Sequence, residues 1–303
     1  MRLEFGKSDA PVASLTRDEW LRRKEIHQEL VGRWADDRVS RATVGIPDPV
    51  YDFLFTYYSF RPAYLKRWSP GPDIELQDAE PADLDWPNDF QRTPAGWMLP
   101  AVAFPEHRVP YLNWAITYLE QTTDRLPTFF CFGLHEWAMV YKIDAPRHSQ
   151  VPLRLSPQRI EEVVEQADLR CSHYDAFRFF TPDAAPRNRT QLTREQTTEC
   201  DQRGCIHVTM DLYRFANKIA PWCPSELLAD TFLLAVDART IDMRSSPYDL
   251  KDRGFEPIRI EEAAGREEFV REQRRLADKA QPIRARLLEL YRYLRVRSRA
   301  CSL

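Results

Sequence analysis

The stretch IHVTMDLYRFANKIA, residues 206–220, decides the fold class of this chain. Its apolar residues recur at the three- and four-residue spacing of an amphipathic helix. A second helix is predicted to begin at Ser225 and to continue through Ile241, and a third to cover about 261–297 with a bend at Pro282. Successive long helices with no strand pattern between them indicate a mainly α protein.

Earlier segments carry the same helical signal. Thr16 and Glu19 form the S/T-x-x-E pattern of a capping box, which marks a helix start. Further helices are predicted at 49–60, 62–68, 111–123 and 157–167, and from Gly133 onward within 129–142. In contrast, the alternation in LRCSHYDAFRFF, residues 169–180, predicts a strand with His173 and Asp175 on one face. The predicted fold is therefore mainly α with a few short strands.

The length of 303 residues suits a single large globular domain, with two close-packed lobes as the alternative. Proline is concentrated in residues 69–110, which we interpret as an irregular stretch and a candidate lobe boundary. Residues 131–250 hold most of the histidines and cysteines, so this part of the domain 1–303 is predicted to carry the site.

Composition excludes several classes of protein. Only 9 residues are glycine, and neither G-x-x-x-x-G-K-[ST] nor G-x-G-x-x-G occurs, which argues against a nucleotide-binding fold. The net charge of −3 gives no overall attraction to nucleic acid. The six cysteines form no C-x-x-C pair, and no apolar run approaches the roughly 20 residues of a membrane span. We therefore expect a cytoplasmic protein with free thiols and no membrane partner.

Three histidines between residues 131 and 207 have a carboxylate close by in the sequence. The pairs are His135 with Glu136, His173 with Asp175, and His207 with Asp211. Histidine changes charge near neutral pH, and a neighbouring carboxylate tunes its basicity or shares metal ligation with it. These pairs are the best indication of a functional site, although each histidine could instead be a hydrogen-bonded core residue.

Spacing refines the roles of these residues. On a helix, Arg214 and Lys218 continue the face of His207 and Asp211, which indicates either a charged site or an exposed face with ordinary ion pairs. Adjacent side chains diverge on any regular element, so at most one of His135 and Glu136 should face a common site. Residue 139 is not histidine, and the H-E-x-x-H motif of zinc proteases is therefore absent.

Two other features could bind a ligand. The segment from Arg284 to Arg299 holds six arginines and one acid, so it could contact phosphates or form a solvated helix face. Aromatic side chains that could stack on a flat ligand are Trp97, Trp137, Tyr174 and Trp222. An irregularly spaced zinc set, Cys200, Cys205, His207 and Cys223, competes with ordinary buried cysteines.

Six segments together resemble a bacterial family, frequent in actinobacteria, that is catalogued as 3-methyladenine DNA glycosylase or glycosylase-like protein. They occur in the same order and span about two thirds of the chain. The segments are DFLFTYYSFRPAYLKRW (52–68), CFGLHEWAMVY (131–141), VPLRL (151–155), CSHYDAFRFFT (171–181), GCIHVTMDLYRFANK (204–218) and DMRSSPYDL (242–250).

The resemblance implies hydrolysis of the N-glycosidic bond of an alkylated base in duplex DNA, without a cofactor. That chemistry needs a carboxylate beside an extruded base held between aromatic walls. Candidate carboxylates are Asp211, Asp175 and Glu136; candidate substrate-binding residues are Trp137, Tyr174, Arg178, Arg214, Lys218 and Trp222.

A metal-dependent enzyme is the alternative function. His135, His173 and His207 with Asp211 or Asp175 could hold zinc, iron or manganese for hydrolytic or oxidative chemistry on a small molecule. A third interpretation is a binding protein whose histidines are structural. The first two interpretations depend on imidazoles and acids from distant segments meeting around one cavity.

Overall fold

Helices account for most of the structure, a computed structural model that describes residues 13–143 and 150–298. The prediction of a mainly α fold with a few short strands is confirmed. The described residues form eleven α-helices: α1 (Arg17–Thr43), α2 (Phe53–Thr56), α3 (Pro62–Leu65), α4 (Val109–Asp124), α5 (Leu134–Ala138), α6 (Pro157–Gln166), α7 (Tyr174–Phe177), α8 (Thr197–Cys200), α9 (Ile206–Lys218), α10 (Ser225–Ser245) and α11 (Ala263–Arg297).

The helix starts follow from capping residues in the sequence. The backbone N–H and the hydroxyl of Thr16 donate to Glu19 Oε2 at 2.8 and 2.7 Å, as the capping box predicts for α1. Ser156 accepts a hydrogen bond from the Arg159 backbone N–H at 3.2 Å and so caps α6, where Pro157 occupies the first turn. Both helix starts are confirmed as predicted.

Three of the four strands of a small mixed sheet lie in the proline-rich stretch 69–110, and the fourth lies near the start of α1. The strands are β1 (Ala13–Leu15), β2 (Ile74–Gln77), β3 (Gln91–Arg92) and β4 (Gly96–Met98), in the order β1-β2-β4-β3. The β1–β2 pairing is parallel, with Ser14 opposite Glu75, and the other two pairings are antiparallel. The indole N–H of Trp20 donates to the Gln77 carbonyl at 3.0 Å and ties the sheet to α1.

Helix α10 lies at the centre of a single core. It packs against α9 and α11, and α4 packs on α11 from the other side. The core is one contiguous cluster that includes Leu76 of the sheet and Phe104 of the proline-rich stretch, so the chain forms one domain. Because α10 is buried on nearly all sides, any charged residue on it must have a partner. None of the described helices combines the length and the apolar character of a membrane span.

Two segments differ from their predicted structure. The strand predicted at 169–180 is wrong, because this segment is a loop followed by the short helix α7. The Cys171 backbone N–H donates to the side-chain oxygen of Asn188 at 2.8 Å, so a side chain takes the place of a neighbouring strand. In the predicted helix 49–60 only Phe53–Thr56 is helical, because Asp48 accepts the N–H groups that precede it.

Candidate metal-binding site

Three imidazoles from separate parts of the chain lie together beside α10. His135 is on α5, His207 is on the first turn of α9, and His173 directly precedes α7. The ring centroids of His135 and His207 are 4.5 Å apart, and His173 stacks on His207 at 5.2 Å with 13° between the ring planes. The structure therefore brings together the three histidines that the sequence marks as candidate metal ligands.

The carboxylate that joins them is Asp242 of α10. The His135 Nε2–H group donates to Asp242 Oδ1 at 2.7 Å. One ligand atom each of His135, His207 and Asp242 lies within 4.8 Å of the other two. Asp211, which the sequence favours for this position, is not part of the group. Asp242 has one sequence signal that could have revealed it, an acid three residues after Arg239 on a helix that is otherwise largely apolar.

Arg239 connects this group to the second member of the His135–Glu136 pair. Its Nη1 group donates to Asp242 Oδ2 at 2.6 Å and to Glu136 Oε1 at 2.8 Å. The guanidinium also lies over the ring of Phe53, 4.3 Å from its centroid. Glu136 thus points away from the imidazoles, as adjacent residues on a helix must, and balances the charge of Arg239.

His173 has a different acid from the one expected. Its Nδ1 group bonds to Asp201 Oδ1 at 3.0 Å, and the hydroxyl of Tyr118 donates to Asp201 Oδ2 at 2.7 Å. Asp201 is fully buried. The prediction that His173 and Asp175 share a strand face is wrong, because Asp175 lies within helix α7. The Tyr118–Asp201–His173 chain fixes the orientation of the ring that stacks on His207.

A turn before α5 sets the position of His135. Phe132 and Gly133 both have left-handed backbone conformations, with φ of 51° and 73°. A Cβ atom on Gly133 would lie 2.3 Å from Ser245 Oγ, so only glycine allows this close approach of α5 to the end of α10. The indole N–H of Trp137 donates to the Ser245 carbonyl at 2.9 Å and holds the two helices together.

Burial and charge shift the pKa values of the imidazoles in opposite directions. Burial opposes the charged form of His135 and His173, but Asp242 and Asp201 outweigh burial and raise both pKa values. Burial raises the pKa of Asp242, but His135 and Arg239 hold it well below its usual range. Burial and the charge of His135 lower the pKa of His207, which therefore stays neutral at physiological pH.

The buried charges around the histidines do not balance on their own. Asp201, Asp242 and Glu136 are at most 5% exposed, and the buried cation that they contact besides histidine is Arg239. Three carboxylates against one guanidinium leave two negative charges. Either two protonated imidazoles or one divalent cation would neutralise these two negative charges.

Thiols line the approach to the histidines. Cys131 Sγ lies 3.6 Å from His135 Nδ1, and a narrow pocket that reaches His135 and His207 is also lined by Cys171 and Cys205. Burial raises the pKa of Cys171 and of Cys205, so both are protonated at neutral pH. Cys200 and Cys223 do not line this pocket, and the zinc set that combined them with Cys205 and His207 is therefore not assembled.

The other candidate acids form a separate cluster. The hydroxyl of Tyr58 donates to Asp211 Oδ1 at 3.0 Å, and Arg214 donates to Asp211 Oδ2 at 2.5 Å. Arg214 also lies 3.7 Å from Asp175, which pairs with Arg178 at 2.9 Å. Burial raises the pKa of Asp211 despite the nearby arginine. His207 and Asp211 thus have different partners although they are one turn apart.

The structure also places the remaining predicted ligand-binding residues. Trp137 and Trp222 lie in the core, where their indole N–H groups donate to backbone carbonyls. Tyr174 and Trp97 are half-buried and Lys218 is exposed. Arg299 lies outside the described residues. Of the other arginines in this segment, Arg284 is buried and Arg295 donates to Asn113. The remaining three form ion pairs: Arg286 with Asp230, Arg292 with Glu120, and Arg297 with Asp73.

Comparisons with known proteins add no further assignment. No family model, no curated protein and no solved structure matches the chain.

Proposed function

We propose that this protein is a metal-dependent enzyme acting on a small molecule, with the ion held by His135, His207 and Asp242. The observation that carries the proposal is the convergence of one ligand atom from each of these residues within 4.8 Å. Two imidazoles and one carboxylate form a donor set suited to Fe²⁺, Mn²⁺ or Zn²⁺. Three protein ligands also leave coordination positions for water and substrate.

The surroundings of the ligands support this assignment. His207 contacts the other two imidazoles, and among the described residues neither of its ring nitrogens has a hydrogen-bond partner. Burial and the charge of His135 lower the pKa of His207, so this ring offers a neutral lone pair. The buried carboxylates Asp242 and Asp201 would stabilise a divalent cation, which would take the place of the proton on the neighbouring imidazole.

The protein groups around the ion would then have distinct roles. A bound divalent ion lowers the pKa of water and polarises substrate oxygen. His173 is oriented through Nδ1 by Asp201 and stacks on His207, so it would position the ring of that ligand. Arg239 holds the second oxygen of Asp242 and thereby fixes the direction of the first. The pocket that reaches the histidines has a volume of about 10 Å³, room for a water molecule and too little for an extruded base.

Metal analysis of the purified protein tests the proposal directly. We expect wild-type protein, after reconstitution with Fe²⁺, Mn²⁺ or Zn²⁺, to retain about one equivalent of at least one of these ions through gel filtration. His207→Ala should lose that ion, whereas the exposed His107→Ala should keep it. Retention of no more than about a tenth of an equivalent of every ion by the wild-type protein would refute the proposal.

DNA glycosylase activity is the second candidate, and one observation favours it. Asp211 is a buried carboxyl group with a raised pKa, and it accepts hydrogen bonds from one tyrosine, Tyr58, and one arginine, Arg214; such an environment is typical of a general acid or base. We expect duplex DNA containing 3-methyladenine to release the free base, and Asp211→Asn to abolish this release. The exposed Asp237→Asn serves as the control. Absence of release by folded wild-type protein would eliminate this function.

A further inference from the structure

A cavity of about 360 Å³ adjoins the turn that precedes α5, the helix that carries His135. Its walls come from residues 130–134, helix α6, residues 166–170 and the segment that leads into α11. This volume lies within the range of small-molecule sites. The cavity shares Arg170 with the narrow pocket that reaches His135 and His207.

One side of the cavity is apolar. Phe130, Phe132, Leu134, Val163 and Ile260 line it, and Phe130 is 54% exposed. An exposed aromatic ring beside other apolar side chains indicates a surface that gains stability when an apolar ligand covers it. Leu134 of this wall directly precedes His135 on α5.

The polar side of the cavity is positively charged. Three guanidinium groups, those of Arg159, Arg170 and Arg266, line it. Arg159 pairs with the exposed Glu162 at 2.7 Å. Arg266 Nη1 donates to the neutral carbonyl of Ile260 at 3.0 Å, and among the described residues it has no carboxylate partner.

The two acids of the cavity wall have partners of their own. Asp168 bonds to Arg189, which lies outside the lining, at 2.6 Å, as well as to Arg170. Glu261 is held in a two-point contact by Arg154, also outside the lining, with a distance of 2.7 Å for one of the two bonds. The cavity therefore presents positive charge that its own carboxylates do not neutralise.

We propose that this cavity binds a carboxylate with an apolar body, with the carboxylate on Arg266 and Arg170 and the apolar part against Phe130 and Val163. Arginine presents paired N–H donors that match a carboxylate, and the apolar wall excludes strongly hydrated anions. That such a molecule is a substrate rests on the proposed function, whereas the binding itself does not require a metal ion.

Calorimetric titration of the metal-free protein with octanoate, 1-octanol and octylamine tests the proposal. Octanoate should bind at least about tenfold more tightly than either analogue, as expected for a charge-assisted hydrogen bond. Arg266→Gln should weaken octanoate binding about tenfold and leave 1-octanol unchanged. Arg271→Gln, an exposed change further along α11 and outside the cavity, is the matched control.

Val163→Phe, which adds bulk to the apolar wall of the cavity, should weaken the binding of both octanoate and 1-octanol. Equal affinity for octanoate and octylamine, equal effects of Arg266→Gln and Arg271→Gln, or an unchanged affinity in Val163→Phe would overturn the proposal. Because no metal ion takes part, these outcomes are independent of the metal analysis above.

Discussion

Replacing Asp242 by asparagine should strongly destabilise the metal-free protein. The carboxylate is fully buried and accepts hydrogen bonds from His135 at 2.7 Å and from Arg239 at 2.6 Å. Removing one partner of a buried ion pair costs about 3–5 kcal/mol, because the other partner stays buried with an uncompensated charge. Arg239 keeps Glu136 at 2.8 Å, which places the expected loss near the lower end, about 3 kcal/mol.

Urea unfolding in the presence of a chelator measures this loss. With an m-value of about 3 kcal/mol/M, the midpoint should fall by about 1 M. Asp237→Asn is the matched control, because Asp237 lies on the same helix but forms an exposed pair with Lys279 at 2.6 Å. Exposed pairs contribute no more than about 1 kcal/mol. Equal midpoints for the two variants would refute the assignment of Asp242 as a charge shared by two buried cations.

The pH dependence follows from the same contacts. The pKa of folded Asp242 lies below its ordinary value of 3.8, so its stabilising effect is present above that pH and is lost as the pH falls. The pKa of folded His135 lies above its ordinary value of 6.5, so the stabilisation from its charge is full below pH 6.5 and is lost as the pH rises through the folded pKa. The difference between wild type and Asp242→Asn should therefore be largest between pH 3.8 and 6.5.

Three further changes test the geometry of the site. Gly133→Ala should lower the free energy of unfolding in urea by more than about 2 kcal/mol, because the new Cβ atom would lie 2.3 Å from Ser245 Oγ and residue 133 has a left-handed backbone conformation. An unchanged free energy of unfolding would contradict the close approach of α5 to α10. Tyr118→Phe should lower the free energy of unfolding by about 1–3 kcal/mol in the same assay, because buried Asp201 loses a hydrogen-bond donor at 2.7 Å. An unchanged free energy of unfolding would show that this bond is absent. Asp201→Asn should lower the pKa of His173 in an NMR titration, because burial is then opposed only by the weaker attraction of Asp211; an unchanged pKa would contradict the pairing.

The long helices could be predicted because their signals are local. The capping box of Thr16 and Glu19 and the apolar spacing of 206–220 depend on residues within a few turns. The sheet could not be predicted in this way. Its strands have two to four residues, and β1 pairs with a strand about sixty residues later, so its register depends on tertiary contacts.

The candidate site shows the same division between local and distant information. The histidines could be selected from residue type alone, since few side chains ionise near neutral pH. Their acids could not, because the carboxylates that contact His135 and His173 are Asp242 and Asp201, 107 and 28 residues away along the chain. The sequence neighbour Asp175 instead pairs with arginine. The acid nearest in sequence is therefore not the partner when a segment that is distant in sequence places its carboxylate closer to the imidazole.

His207 is the residue that distinguishes a metal-binding site from a purely structural cluster of histidines. His135 and His173 each have a buried carboxylate, so a purely structural role explains both rings. His207 contacts only their imidazoles among the described partners of its ring, and burial lowers its pKa so that it keeps a neutral lone pair. In the function proposed above, this lone pair would bind the divalent cation, and the cation would replace the charge of protonated His135 beside Asp242.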